Sequence, residues 1–448
     1  MATDSVVAPT ALQPRVVVVI VPVRSPATRG TCAPSAVTPL AACWLLCGPL
    51  LVLFVFVAPS DAAWEVRLVP EVSAATEYSD NVTSASKQAE ALDDLSLAAT
   101  PALTWSADRQ DFRLDGRSDL RAERFLENGN LDGEDWHHRL GATWRLNERW
   151  SLAASEEWRQ SRSLDDLIEA GEIVVQRERR TTNEARAAVT WLPTERTQAS
   201  LAYTNYDSQS DDPANTDYLL HMVALSASLQ ATERLGLFAG ANFQDYDFSP
   251  TPGDPARRRF FTRNYAAFAG AGYQFTERLD ARLQVGARYT EQTTRAVAID
   301  ATTFPIGFTE IESTSDSVNG TFSGTATYAL ETGSIHLSAS QDLTATAGAE
   351  GTVERRIFGL FANDWFAADW QWTGGVTYST NQSDTGLAAS ERDTTSRSLT
   401  AGLRHRLNDY WDAALTLRRT DFQDDALDTE TERNAVVLAI TGRWPVAM

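Results

Sequence analysis

The chain has 448 residues and carries 39 Lys and Arg against 60 Asp and Glu, a formal net charge of −21. So acidic a chain is a poor nucleic-acid binder, because phosphate contacts need positive surface, and a hydrophobic content of 43% argues against intrinsic disorder. The three cysteines, Cys32, Cys43 and Cys47, all precede residue 48, which excludes a disulfide framework or a cysteine nucleophile from residues 48–448.

The first 62 residues are predicted to form a signal peptide. Arg15, Arg24 and Arg29 precede an almost wholly apolar run over residues 40–58, and small residues then allow cleavage after Ala62. A membrane-anchor helix is the alternative for this segment. No second long apolar run follows, so transmembrane helices are not expected in residues 63–448. An exported chain of this kind is a periplasmic protein, a secreted protein or an outer-membrane barrel.

Beyond residue 63 the dominant period of hydrophobicity is two residues. Over residues 279–289 the odd positions are apolar and the even positions are polar or Gly, an alternation that predicts a β-strand with one apolar face. The same alternation recurs over residues 95–106, 318–330 and 436–444. Runs this long are typical of tilted strands that cross a bilayer rather than of soluble sandwich strands.

A short turn motif recurs between the alternating runs. Four copies end in Glu-Arg, as at Asn147-Glu148-Arg149, and four looser versions bring the number of tight turns to eight. Each interval holds two strands and one longer polar loop, which is the unit of an up-and-down barrel. Eight tight turns predict an all-β transmembrane antiparallel barrel over residues 63–448 with about 18 strands, or 16 or 20 if one turn is miscounted.

The tryptophans support the same fold. Ten of the twelve beyond residue 62 lie beside a tight turn or at an end of the barrel sequence, and only Trp136 and Trp158 do not. Indole prefers the membrane–water interface, so these ten are predicted to form one aromatic girdle.

One predicted strand alternates basic and acidic side chains at every second position. Because charges avoid lipid, all six are expected to face the lumen; they are Arg113, Asp115, Arg117, Asp119, Arg121 and Glu123. Their signs cancel, which favours cross-strand ion pairs over a selective pore. Eight further arginines are predicted to line the lumen without a sequence partner, which favours a charged channel; they are Arg139, Arg145, Arg186, Arg282, Arg288, Arg404, Arg406 and Arg418.

Catalysis finds little support in the sequence. His137 beside Asp135 is the one candidate acid/base pair, and no nucleophile elbow, zinc-binding HExxH motif or phosphate-binding loop occurs. We therefore expect no enzyme, no cofactor and no metal site.

The start of the barrel sequence carries a short motif, Glu77-Tyr78-Ser79-Asp80-Asn81, preceded by Pro70. Together with the repeated Thr-Glu-Arg-Leu turns it resembles the outer-membrane β-barrel proteins of exopolysaccharide and exosortase-associated gene clusters. The resemblance covers most of residues 66–444 and implies a porin-like barrel that exports or assembles surface polysaccharide, with periplasmic export components as partners. Glu77, Tyr78, Asp80 and Asn81 are the residues that carry it.

Three functions follow as hypotheses. The first is an outer-membrane conduit for exopolysaccharide; the second is a general porin for small solutes; the third is a non-conducting structural or adhesive barrel. The long segment 293–316 is expected to be a loop that can fold inward and constrict the lumen. An even strand number places both chain ends in the periplasm. The acidic long loops then face the outside, where they either contact lipopolysaccharide through divalent cations or serve only as solvated surface.

Overall fold

The computed structural model describes residues 64–87, 91–162, 179–211, 216–249, 258–300, 307–345, 352–383, 393–425 and 428–447. The predicted signal peptide lies outside these residues. The barrel occupies the unit Ala62–Met448. No helix in the described part of the chain has the length and apolar character needed to span a membrane.

Eighteen antiparallel strands form the wall, and their number confirms the prediction from the turns. The strands are β1 (Glu65–Ser79), β2 (Asp94–Arg109), β3 (Phe112–Phe125), β4 (Gly133–Arg145), β5 (Trp150–Ser161), β6 (Arg180–Thr194), β7 (Thr197–Ser210), β8 (Tyr218–Gln230), β9 (Leu235–Phe248), β10 (Arg259–Gln274), β11 (Leu279–Asp300), β12 (Gly307–Ala329), β13 (Ser334–Ala345), β14 (Thr352–Ala367), β15 (Trp370–Ser383), β16 (Thr394–Arg406), β17 (Trp411–Asp424) and β18 (Thr429–Arg443).

The sheet closes because β1 pairs with β18 as well as with β2. A two-residue strand, β19 (Val446–Ala447), continues the pairing with β1 beyond Pro445. Closure leaves no strand edge along this seam, as a bilayer requires. The N-terminal end of β1 and the C-terminal end of β18 both lie at the rim that carries the eight tight turns.

Side chains within the tight turns explain their repeated sequence. The Asn147 Oδ1 atom accepts hydrogen bonds from the N–H groups of Arg149 and Trp150, and Thr276 Oγ1 accepts them from Arg278 and Leu279. Thr232 and Asn408 make the same local pattern. An Asn or Thr at this position therefore satisfies the backbone of a tight reversal by itself.

The outward-facing positions carry an apolar band between two aromatic belts. At the tight-turn rim, Trp150 stacks on Trp191 with ring centroids 5.7 Å apart, and Trp370 stacks on His405 at 4.1 Å. Towards the other rim, Tyr265 lies between Phe243 and Tyr289, 5.1 and 6.3 Å away. Eight residues separate Tyr273 from Tyr265 on β10, about 26 Å along a strand, which is a suitable span for a tilted crossing. A closed barrel with this outer surface is an outer-membrane type of β-barrel.

The prediction of a single tryptophan girdle is wrong in two respects. Trp365 faces inward, where the guanidinium of Arg406 lies 5.0 Å from its ring. Trp136 and Trp158 are not exceptions but members of the second belt, with His138 stacked on Trp158 at 5.5 Å. Both membrane interfaces therefore have an aromatic belt.

The prediction that residues 293–316 form a constricting loop is also wrong. Strands β11 and β12 pair continuously out to Asp300 and Gly307, so most of this segment is a regular two-stranded ladder. These two strands are 22 and 23 residues long, against 12–16 for the other wall strands. A different hairpin enters the lumen.

Candidate functional site: the lumen and its inner hairpin

Two residues that pair on neighbouring strands point to the same face of the sheet. The strand pairings therefore assign each residue of the wall to the inner or the outer face. The face that carries Tyr218, Tyr246 and Phe260 packs against a hairpin enclosed by the wall and is therefore the inner face. By this register all fourteen predicted lumen residues, from Arg113 to Arg418, lie on inward-facing positions.

The alternating charges of β3 form ion pairs along the strand and across it. Arg117 contacts Asp119 at 3.0 Å and Glu71 of β1 at 3.2 Å. Arg121 contacts Glu123 at 3.0 Å, and Arg113 lies 3.5 Å from Asp115. These contacts match the structural interpretation of the ladder, in which opposite charges stabilise the wall.

The ion pairs continue around the wall in both directions from β3. On one side Glu71 binds Arg443 at 2.5 Å, Arg443 reaches Asp412, and Asp412 binds Arg404 at 2.6 Å. On the other side Asp119 contacts His137, which contacts Glu157. One network of charges thus spans the wall from β16 through β18 and β1 to β5.

The residues of the family-like motif join the first and last strands. Glu77 binds Arg433 of β18 at 2.6 Å, and Asp80 accepts hydrogen bonds from the backbone and side-chain N–H groups of Asn434, both at 2.7 Å. Asn81 is 3% exposed; it donates to the carbonyl oxygens of Ala85 and Glu432 and accepts from the Ala85 N–H. Tyr78 points outward and is exposed. Three of the four motif residues therefore hold the barrel seam rather than line the lumen.

Six of the other predicted arginines fall into three groups. Arg288 and Arg404 are ion-paired through tertiary contacts, contrary to the expectation that they lack partners. Arg282 stacks on Phe238, with its guanidinium 3.8 Å from the ring, and Arg406 stacks on Trp365. Arg139 and Arg145 are exposed and form no ion pair with any residue that the structure describes.

The hairpin between β13 and β14 enters the lumen. We call residues 342–345 and 352–356, on either side of its connection, the inner hairpin. Ala345 packs into a cluster of inward-facing rings on β8, β9 and β10 that contains Tyr218, Tyr246 and Phe248. Val353, fully buried, packs against Phe422 of β17. Strands β9 and β17 are eight apart in the order of the sheet (17 − 9), so the inner hairpin crosses the lumen.

Polar contacts hold the inner hairpin to β11. Arg288, which is 1% exposed, lies 3.4 Å from Glu354 and 3.7 Å from Asp342. Gln292 Nε2 donates a hydrogen bond to Thr352 Oγ1 at 3.2 Å. A buried ion pair is stable only while both partners remain, so Arg288 and Glu354 fix the hairpin in place.

The two halves of the lumen differ in their access to water. Inward-facing polar side chains near the loop rim are buried, among them Ser96, Arg180, Ser208, Asn264, Thr290, Asn381, Thr394 and Thr420. Inward-facing arginines near the tight-turn rim are exposed or half-exposed. We call this second half the vestibule; it is lined by Arg139, Arg145, Arg282, Arg404 and Arg406. The lumen is filled at one end and open at the other.

His137 faces inward but does not form the acid/base pair considered from the sequence. His137 lies between Asp119 and Glu157, at 3.3 and 3.2 Å, whereas Asp135 accepts a hydrogen bond from the backbone of Arg162. Within the described ranges, no three His, Asp or Glu side chains are arranged to hold a metal ion.

No family model matches the chain, and no curated protein matches it in sequence. Among solved structures it is similar to the ferric-catecholate import receptor Fiu from E. coli K12 in its open form, with 7% identity, a TM-score of 0.45, and coverage of 84% of this chain and 81% of that one. It is also similar to OccAB4 of Acinetobacter baumannii (9% identity, TM-score 0.41, coverage 86% and 100%) and to OpdK of Pseudomonas aeruginosa with vanillate (11% identity, TM-score 0.42, coverage 84% and 99%). These likenesses concern the barrel fold, and nothing about a substrate follows from them.

Proposed function

We propose that the protein is an outer-membrane channel that the inner hairpin closes at the loop rim and that opens when this hairpin leaves the lumen. The observation that carries the proposal is the asymmetric lumen, in which a solvent-accessible, arginine-lined vestibule adjoins a packed half at the loop rim. A barrel of 18 strands is wide enough for an aqueous path once its interior is vacated. The Arg288–Glu354 pair is the contact whose loss favours opening.

The tight turns and both chain ends are proposed to face the periplasm. Barrels of the outer membrane have short periplasmic turns and longer extracellular loops. The vestibule then opens to the periplasm and the inner hairpin closes the outer side. The acidic loops are proposed to face lipopolysaccharide.

General passage of small solutes is the substrate range that we favour. Unpaired Arg139 and Arg145 supply positive potential at the vestibule without selecting one molecule. Polysaccharide export, implied by the motif resemblance, is the narrower proposal, with periplasmic export components as its partners; it requires complete displacement of the inner hairpin. No catalytic role is proposed, because His137 is held between two carboxylates of the wall.

A non-conducting structural barrel is the second candidate. The ion-pair network from β16 to β5 and the packed upper lumen favour it, since both would stabilise a barrel that never opens. Conductance of the purified protein separates the two candidates.

Planar-bilayer recording of Glu354→Gln beside the wild type is the first test. The substitution leaves the buried Arg288 with the more distant and exposed Asp342 as its carboxylate partner and also removes the carboxylate that Arg356 contacts at 2.8 Å; the loss of one partner from a buried pair costs up to about 3–5 kcal/mol. The closed state should therefore lose population, and the variant should show longer and more frequent openings. Glu312→Gln is the matched control, because Glu312 pairs with Arg295 on the exposed part of the β11–β12 hairpin.

A disulfide provides the converse test, since residues 63–448 contain no cysteine. Gln292→Cys/Thr352→Cys, joined through both thiols by a short bismethanethiosulfonate that replaces the length of the Gln292 side chain, should hold the inner hairpin on β11 and abolish openings, and reduction should restore them. The control pair is Ser200→Cys/Ser226→Cys, whose hydroxyls are 2.7 Å apart within the wall. If neither the wild type nor Glu354→Gln conducts in planar bilayers, the structural barrel is supported and the channel is refuted.

A further inference from the structure

The wall of the barrel splits between β12 and β13 before either strand ends. Their ladder stops at the pair Phe322–Gln341. On one side of the split, β11 and β12 stay paired to Asp300 and Gly307; on the other, β13 and β14 stay paired to Ala345 and Thr352. Among the described residues, 307–321 of β12 therefore have a backbone neighbour on one side only, because β13 turns inward with the inner hairpin.

The split begins within the apolar band rather than above it. Its first outward-facing positions are Gly320 and Val318, and Val318 pairs with Tyr289 of the second aromatic belt. Val318 is 72% exposed, the highest value among the large hydrophobic side chains described. Apart from the glycine's own chain neighbours, no described atom lies within 4 Å of the position that a Cβ on Gly320 would take. The Gln341 Nε2 atom donates to the Gly320 carbonyl oxygen at 3.1 Å and bridges the start of the split, so hydrocarbon from the surrounding membrane has access beyond this bridge, beside Val318.

A buried cation lies directly behind the split. Arg288 pairs with Asn319 of β12, and its side chain passes behind β12 to within 3.7 Å of Asp342 on β13. Its Nε and Nη1 atoms donate no hydrogen bond to any described residue, although the side chain is only 1% exposed. Two donors of a charged group without acceptors are costly in such a site. The Nε and Nη1 atoms of Arg288 are therefore available to a hydrogen-bond acceptor that enters the split.

We propose that the split is a lateral binding site for a single-chain anionic amphiphile of the fatty-acid class. Its carboxylate accepts hydrogen bonds from Arg288. It replaces the exposed carboxylate of Asp342, which lies 3.7 Å from Arg288 and is too far away to accept a hydrogen bond. Its hydrocarbon chain lies against Gly320 and Val318. Entry is from the membrane, since Glu354 and Thr352 cover the lumen side of Arg288 and Gln292.

The test uses the full barrel in phosphatidylcholine nanodiscs with spin-labelled stearate as the probe. An immobilised component of the electron paramagnetic resonance spectrum reports binding. Arg288→Gln should weaken binding by about tenfold, the effect of losing a charge-assisted hydrogen bond. Arg282→Gln is the matched control, on the same strand and face but away from the split, and it should leave binding unchanged. The methyl ester of the probe, which lacks the charge, should bind as weakly as the acid binds to Arg288→Gln.

Asp342→Asn keeps the proposal falsifiable if Arg288→Gln fails to fold. It removes the carboxylate that competes for Arg288 and should tighten stearate binding. Equal binding by the wild type and Arg288→Gln, equal binding of acid and ester, or weaker binding by Asp342→Asn would each overturn the proposal. The site does not rest on conductance: a barrel that binds stearate and never conducts refutes the proposed channel alone.

Discussion

At the scale of single residues, two consecutive residues of one strand face different environments, one the lipid and the other the lumen. Val285 of β11 is 57% exposed on the lipid face, while Gln284 points into the lumen beside Ser323. We predict that Val285→Arg costs roughly 2–4 kcal/mol of barrel stability and that Gln284→Arg costs little. The folded fraction of each variant is measured by the change in gel migration on boiling after recovery from the outer membrane.

Equal losses in the two variants would contradict the assignment of faces by register. A one-residue slip exchanges lipid and lumen positions along the whole strand, so this comparison tests the barrel as well as the residue. Recovery of the wild type from the soluble periplasm would contradict the membrane assignment itself.

Asn81 is the residue on which we expect the seam to depend most. Its buried amide donates to the carbonyl oxygen of Glu432 across the β1–β18 junction, and it bonds to both the carbonyl oxygen and the N–H of Ala85 in the connection that follows β1. Asn81→Ala leaves these backbone groups without partners and should cost about 1–3 kcal/mol. Urea unfolding in detergent micelles measures the loss. Tyr78→Phe is the control, since the exposed Tyr78 hydroxyl makes only a long contact of 3.5 Å to Asp93; an equal loss there would argue against the seam role.

At the scale of elements, β10 is built around a close approach of backbone to side chain. A Cβ on Gly270 would collide with the carbonyl oxygen of Leu283 and the ring of Phe238, the same ring on which Arg282 stacks. Gly270→Ala should therefore cost about 1–3 kcal/mol through overpacking. Gly272→Ala on the same strand and face is the control, because its Cβ would lie an ordinary 3.9 Å from its nearest neighbour. Thermal loss of heat-modifiability compares them, and matching midpoints would contradict the packing.

The strands were predictable because their signals are local. Apolar and polar residues alternate over 279–289 because one face of the strand contacts lipid. Tight turns carry their own side-chain hydrogen-bond acceptors, such as Asn147 and Thr276. The inner hairpin has no comparable signal. Its position depends on Ala345 meeting Tyr218 and on Val353 meeting Phe422, contacts between strands far apart in sequence. The sequence of residues 293–316 predicted a loop because it lacks a regular alternation of apolar and polar residues. A two-stranded ladder that extends beyond the aromatic belt has no lipid-facing side, so such an alternation is not required there.

At the scale of the whole molecule, the direction of the lumen side chains was predictable and their partners were not. Parity along a strand is sufficient to turn Arg404 and Arg288 inward. Their acids, Asp412 and Glu354, are found only once the register and the inward fold of β13 and β14 are known. The motif residues show the same limit: the sequence singled out Glu77 and Asn81, but only closure of the sheet reveals that they join its two ends.

Ion selectivity is the property of the whole barrel that we expect the unpaired arginines to set. In the Glu354→Gln background, where the closed state is weakened, Arg139 and Arg145 face the vestibule without carboxylate partners among the described residues, and Arg282 keeps its charge while it stacks on the ring of Phe238. Inward-facing Asp280 opposes them, so we expect a mild anion preference that falls as salt shortens the range of the field. The reversal potential in asymmetric KCl should move towards cations in Arg139→Gln/Arg145→Gln/Arg282→Gln. The control is Arg404→Gln/Asp412→Asn, which removes an ion pair and leaves the net charge of the lumen unchanged. Anion preference that survives the triple substitution, or that is lost equally in the control, would show that these three arginines do not determine selectivity.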